Sequence, residues 1–397
     1  MRISTSWMQQ QSVNSMMEQQ GSLSNLQNQL DSGKRINQPS DDPVGAATSL
    51  ELGHLTADTA QYQRNIAAAN SRLGLEDQSL SSASNVLGRV RTLLLQANNG
   101  TQTDETRGDI AREMTSLRQQ LLGLANSKDG QGDYIFAGNR TGAAPFVSQT
   151  VGVNYVGDDG QRMVAAGPGL QVATGDPGSA IFKNIPTGNG SFAVTAGASN
   201  TGSAVAGASS VSDLAAWDGN SYSVVFTAAD AYEVRDSLGT AISTGSYDPA
   251  KGGTVAFKGI QLAISGTPQS GDAFAVAPSG TQDIFSTMDN IIATLSQPNG
   301  GGAATQNALN TQFANLDQSI DTLTRARAGI GARMNALDQQ GSLNDDLTLQ
   351  YKTSLTGVQD LDYYDAISKF SLQQSSLQAA QLTFTKLQSS KLFDYLK

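Results

Sequence analysis

One histidine, one pair of aspartates and three short acidic or glycine-rich loops are the places in this chain where chemistry could be done. His54 is the sole histidine and cysteine is absent, so neither a His/Cys metal cluster nor a thiol nucleophile can be assembled. A histidine so isolated reads as an ordinary helix residue. Asp41 and Asp42 could be imagined as a carboxylate pair for acid–base work, but Pro43 follows at once, which fits a helix N-cap with proline in the first turn. Asp158-Asp159-Gly160 and Lys128-Asp129-Gly130 look like ion loops, yet neither continues with calcium-ligand spacing, so both read as turns. Gly167-Pro168-Gly169 lacks the lysine and helix of a phosphate loop. These residues predict no enzyme, no cofactor and no metal site.

What the chain does possess is two apolar ladders. The first is Ile66, Leu73, Leu80, Leu87 and Leu94, a strict seven-residue step, with Ala69, Ala83, Val90 and Ala97 three positions on and only Glu76 breaking that second row. The second is Leu309, Leu316, Leu323, Ile330 and Leu337, joined by Phe313, Ile320 and Met334, with Arg327 as its exception. A seven-residue step with a companion at +3 or +4 is a coiled-coil seam, and each ladder is the natural partner of the other. The chain is then expected to leave and return through one intrachain helical bundle. Hydrophobic content of 38% and 6% aromatics are thin for an enzyme of 397 residues and suit long helices with narrow buried stripes. The net charge of −10 argues against nucleic acid as partner. No run approaches the ~18–20 apolar residues of a membrane span. Met1-Arg2-Ile3-Ser4-Thr5-Ser6-Trp7 offers no apolar signal segment, so the chain is expected to stay inside the cell or to leave it uncut.

Along the chain, residues 1–40 are rich in Gln, Ser and Asn, with Leu23, Leu26 and Leu30 as a weak stripe, and are expected to order only against a partner. A break at 33–37 precedes a helix from Pro43 to about Asn98, and Thr103-Asp104-Glu105 opens another. A short strand is expected over 132–138. Between 139 and 280 the composition turns to Gly, Ala, Ser and Thr, with strands expected over 221–227, 231–235, 254–257, 260–264 and 273–276, and loop or poorly packed edge over 187–210. Helix resumes at Asp283. The last segment carries Tyr363, Phe370, Leu377 and Phe384 at a seven step, with Ala366, Ala380 and Leu387 at +3. The fold class is α+β: a discontinuous N- and C-terminal coiled-coil bundle with an inserted β-rich domain.

Specific residues carry a resemblance. Leu26, Leu30-Asp31-Ser32-Gly33-Lys34-Arg35-Ile36-Asn37 and Ser40-Asp41-Asp42-Pro43 resemble the N-terminal signature of bacterial flagellins, as do Leu87-Gly88-Arg89-Val90-Arg91-Thr92-Leu93 and Gln96 to Thr101. Residues 132–138, 144–146 and 153–158, with the C-terminal Phe384-Thr385-Lys386-Leu387 and Leu392 to Leu396, are similar to the hook–filament junction branch of that family. Gly266-Thr267-Pro268 and Gly271-Asp272-Ala273-Phe274 resemble modules of hook-associated proteins. The resemblance implies a flagellin-like fold and a structural, secreted, extracellular axial subunit, exported through the flagellar type III apparatus. Its implied partners are other copies of itself, hook-associated protein 1, flagellin, and an export chaperone on the C-terminal helix. The expected division is 1–42 with 350–397 as an inner helical domain, 43–182 with 281–349 as a bundle with a β-hairpin region, and 183–280 as an outer β-rich domain. Leu23, Leu26, Leu30, Tyr363, Phe370, Leu377, Phe384 and Leu387 are the expected assembly face. A filament flagellin fits the arms equally but 132–158 less well; a secreted coiled-coil effector or adhesin fits the ladders but not the signatures.

Overall fold

The computed structural model describes residues 5–150, 152–298 and 301–393, with side chains from 7 to 386. Helix α1 (Thr5–Ser32) stops at Gly33, which turns the chain with φ of 70°. Helix α2 (Pro43–Ala97) begins where Asp42 Oδ1 accepts the Gly45 N–H at 2.9 Å, the acidic cap expected ahead of Pro43. Helix α3 (Asp104–Ala125) opens with a Thr103/Thr106 capping box and two first-turn carboxylates. Two small hairpins follow, β1 (Phe146–Ser148) with β2 (Val153–Tyr155) and β3 (Met163–Gly167) with β4 (Leu170–Ala173), then strand β5 (Ile185–Pro186).

The β-rich part contains β6 (Phe192–Ala196), β7 (Val205–Val211), β8 (Tyr222–Ala228), β9 (Ala231–Asp236), β10 (Ala241–Ser246), β11 (Gly253–Phe257), β12 (Ile260–Ser265) and β13 (Ala273–Pro278). Strand β14 (Thr281–Gln282) pairs back onto β5, and helices α4 (Ile284–Leu295), α5 (Ala303–Gln359) and α6 (Tyr363–Phe393) complete the order. No helix among the described residues is long and apolar enough to cross a membrane. The chain forms two compact units, Met1–Arg64 with Gln340–Lys397, and Asn65–Gln339.

In the 65–339 unit the two ladders share one core. Ile66, Leu73, Leu80, Leu87, Leu94, Leu309, Leu316, Leu323, Ile330 and Leu337 are all buried in a single cluster, the most exposed being Ile66 at 6%. Polar pairs flank this seam and fix its antiparallel sense. Asn70 Nδ2 donates to Asp338 Oδ1 (2.9 Å), Arg327 pairs with Asp77 (2.8 Å), Arg91 with Asp317 (2.8 Å), and Asn98 Nδ2 donates to Asn310 Oδ1 (3.2 Å). Residues 70, 77, 91 and 98 occupy one heptad position, so four of its five occurrences from 70 to 98 carry a cross-helix check on register. The two exceptions in the ladders part company. Arg327 stays half-exposed against Asp77, whereas Glu76 is fully buried.

The strand expected over 132–138 is not formed. It reduces to an isolated Lys128–Tyr134 bridge, after which Ile135, Phe136 and Ala137 are buried within a turn. Gly138, at φ of 67°, bends the chain there before a second residue can pair. Phe136 and Phe146 pack edge-on against Phe182, and Phe285 of α4 closes the group against Phe146.

The β-rich part holds its own core under a five-stranded sheet, β10-β9-β8-β13-β6, and a three-stranded sheet, β11-β12-β7. The five expected strands form within a residue or two of their limits. The 187–210 stretch, expected as loop or poorly packed edge, forms two edge strands, β6 and β7, of which only Phe192 and Ala206 are buried, with Ala204 buried just before β7. Both strands are sheet edges, and α5 satisfies them through side-chain amides. Asn307 accepts the Ala206 N–H (2.8 Å) and donates to the Ala204 carbonyl (2.9 Å), as a neighbouring strand would. Asn310 donates to the Ala206 carbonyl (2.8 Å), Thr311 Oγ1 to that of Val194 (3.2 Å), and Asn315 Oδ1 accepts the Gly188 N–H (2.8 Å).

Candidate assembly interface

The 1–64/340–397 unit is built on the pairing of α1 with α6. In α1 the half-buried positions include Val13, Met16, Gln19, Leu23, Leu26 and Leu30; in α6, Ala366 is buried and Phe370, Gln373, Leu377, Ala380 and Phe384 are half-buried. Steps of three and four in both rows make this a coiled-coil seam. The first arm was expected to need a partner, and its own chain supplies one in α6. Of the expected face, Leu23, Leu26, Leu30, Phe370, Leu377 and Phe384 lie in these stripes, Tyr363 is 52% exposed, and the side chain of Leu387 lies outside the described residues, as does the end from Asp394.

Two glutamines interrupt the seam. Gln373 Nε2 donates to Ser22 Oγ (3.1 Å), but the side-chain carbonyls of Gln19 and Gln373 are buried without a partner. Each such group costs about 1–3 kcal/mol, against about 1.5–3 kcal/mol for fully burying one Leu or Phe. No described residue of α1 is fully buried, so this pair stands near the low end of local stability. A groove of about 460 Å³ lined by Met8, Met16, Ala380 and Phe384 remains along it. Mild digestion of the isolated protein with a broad-specificity protease is expected to remove roughly the first 40 and last 45 residues first. Mass spectrometry of the fragments checks this; arms that outlast the 65–339 unit would contradict it.

A clasp closes the other end of the pair. The 33–42 segment meets the α5–α6 turn through a Lys34–Asp360 bridge, with Arg35 N donating to the Gln359 carbonyl (2.8 Å) and Leu361 N to that of Gly33 (3.1 Å). Arg35 also donates to the Val358 carbonyl (2.8 Å) and pairs with Asp42 (3.2 Å). The Gly45 N–H bond holds the Asp42 carboxyl below the usual range, and the Arg35 guanidinium adds to it. Asp41 Oδ2 accepts the Asn37 and Gln38 N–H groups at 3.0 and 2.9 Å. A side chain at Gly33 would strike the Tyr363 hydroxyl at 2.8 Å. The Asp41 and Asp42 carboxylates are therefore turn and cap groups. His54 lies exposed on α2.

Large apolar side chains remain on the outer faces of the same helices: Trp7 and Met17 on α1, and Tyr364 (88%), Ile367, Leu372 (71%) and Leu382 on α6. An arrangement that half-buries one stripe and leaves another in water is suited to lateral packing.

Comparison with known proteins agrees. Residues 3–141 match the bacterial flagellin N-terminal helical region, and residues 195–278 match the D2-like domain of flagellar hook-associated protein 1. Flagellar hook-associated protein 3 of Salmonella typhimurium is 26% identical over 99% of both chains. The crystal structure of Xanthomonas campestris FlgL is 38% identical, with a TM-score of 0.70 over 76% of this chain and 98% of that one. The flagellar junction protein FlgL from Legionella pneumophila is 31% identical, with a TM-score of 0.70 over 80% of this chain and all of that one. The chain belongs to the FlgL family, the flagellar hook-associated protein 3 that forms the hook–filament junction of the bacterial flagellum.

Proposed function

We propose that this chain is a secreted structural subunit that adds a short axial zone between hook-associated protein 1 and flagellin, held by lateral packing of its terminal arms on neighbouring copies. The observation that carries this reading is the α1–α6 pair, only half-buried along its seam and apolar on its outer face. Residues 1–42 with 350–397 act as the assembly domain through Leu23, Leu26, Leu30, Tyr363, Phe370, Leu377, Phe384 and Leu387. Residues 43–182 with 281–349 are the bundle that carries them, and 183–280 form a separate β-rich domain. Marginal arms suit passage through the flagellar type III export apparatus, with a chaperone on the C-terminal helix until assembly. Deleting the gene in a motile host is expected to release flagellin into the medium unpolymerised, and restoring it to return attached filaments. Filaments that stay attached without the chain would overturn the reading.

A further inference from the structure

A carboxyl group sits in the apolar bundle seam, and its surroundings specify a ligand. Glu76 has no exposure; its Oε1 accepts the Asp176 N–H (3.0 Å), while its Oε2 is buried with no partner in the protein. Arg72, one helical turn earlier, pairs through Nη1 with Asp129 (2.8 Å), and its Nε–H is likewise buried and unpartnered. These two orphaned groups meet at Gly175. A Cβ placed there would lie 3.5 Å from Glu76 Oε2, 3.7 Å from Arg72 Nε and 3.9 Å from the Ile135 carbonyl oxygen. A cavity of about 10 Å³, lined by Arg72, Ile135 and Gly175 among others, opens at this point. Three polar atoms, two from α2 and one from the turn at Ile135, thus converge on Gly175 beside a space near the ~10–15 Å³ that one water needs.

The set of donors and acceptors selects the occupant. It presents one N–H donor, one carbonyl acceptor and one carboxyl oxygen, beside an arginine that repels cations and in a space of about 10 Å³ that is too small for a polyatomic anion. We infer that Glu76, Arg72 and the Ile135 carbonyl hold one internal water molecule, which ties α2 to the turn before β1. The water accepts from Arg72 Nε–H and from the protonated Glu76 Oε2, and donates to the Ile135 carbonyl. The burial that raises the Glu76 pKa keeps its carboxyl neutral near pH 7, so the water faces no buried charge from Glu76 at that pH.

Gly175→Ala is the test, because its methyl has room and its backbone is not in the left-handed region. Such a change ordinarily stabilises. Here it would expel the water and leave both orphaned groups buried, so the full-length variant is expected to melt roughly 2–4 °C lower. A crystal structure of the native chain, at a resolution that reveals other buried waters, is expected to show density between the three atoms. Glu76→Gln should retain that density and Gly175→Ala lose it. A native site without density, or an alanine variant that melts higher than native, overturns the inference.

Discussion

Glu76→Gln is expected to raise the melting midpoint of the full-length protein by roughly 5 °C at pH 7, and by little at pH 5. Burial first, then the Asp176 carboxylate, pushes the Glu76 pKa from 4.5 up to about 8, against the Asp176 N–H bond and the Arg333 and Arg72 guanidinium groups. The folded state therefore holds a proton that the unfolded chain releases across pH 4.5 to about 8. With more protons on the folded state, stability falls as pH rises through that window and then levels off. By pH 7 the accumulated loss is about 3 kcal/mol at 1.36 kcal/mol per unit. Glutamine keeps the acceptor for Asp176 N–H and has nothing to titrate. Melting curves at pH 5, 7 and 9 decide the matter: native and variant should coincide at the first and diverge by the last. Parallel profiles would show that Glu76 is not what the pH acts on.

Leu377→Asp is expected to abolish attachment of filaments while leaving the 65–339 unit folded. Leu377 lies midway along the half-buried α6 stripe. The change gives up about 1 kcal/mol of apolar burial and sets a carboxylate in a seam that already carries two unpartnered glutamine oxygens. The bundle core contains none of these residues, so its thermal transition should be unmoved. Swimming assays and electron microscopy of complemented cells, beside melting of the purified variant, separate the two effects. Normal filaments on the variant would remove the seam from the proposed assembly face, whereas loss of the bundle transition would mean the arms support the core.

Much of this architecture was legible because it rests on period. The Leu/Ile rows at 66–94 and 309–337 repeat strictly, and burial follows the repeat to the last residue. The Asp42–Pro43 helix start was legible because a cap is local. What escaped reading depends on partners far along the chain. Glu76 looked like a flaw in its row, and nothing near it hints at an Asp176 N–H one hundred residues away. Asn307 and Asn315 sit where a helix could equally face solvent, and only the strand edges beside them give them their task. The 187–210 stretch lacks large apolar residues, so its strands could not be told from loop. The boundaries near 64 and 339 fall inside uninterrupted helices, where no turn residue marks them.

Toward the β-rich insert, Asn307, Asn310, Thr311 and Asn315 of α5 address main-chain atoms: the Ala204, Ala206 and Val194 carbonyls and the Ala206 and Gly188 N–H groups. A socket that grips backbone is blind to the letters written on it. What α5 asks of the insert at these bonds is two strand edges along the same path, while the side chains of its own core answer to one another. The insert is joined to α5 at these edges by contacts that do not register which side chains the strands carry.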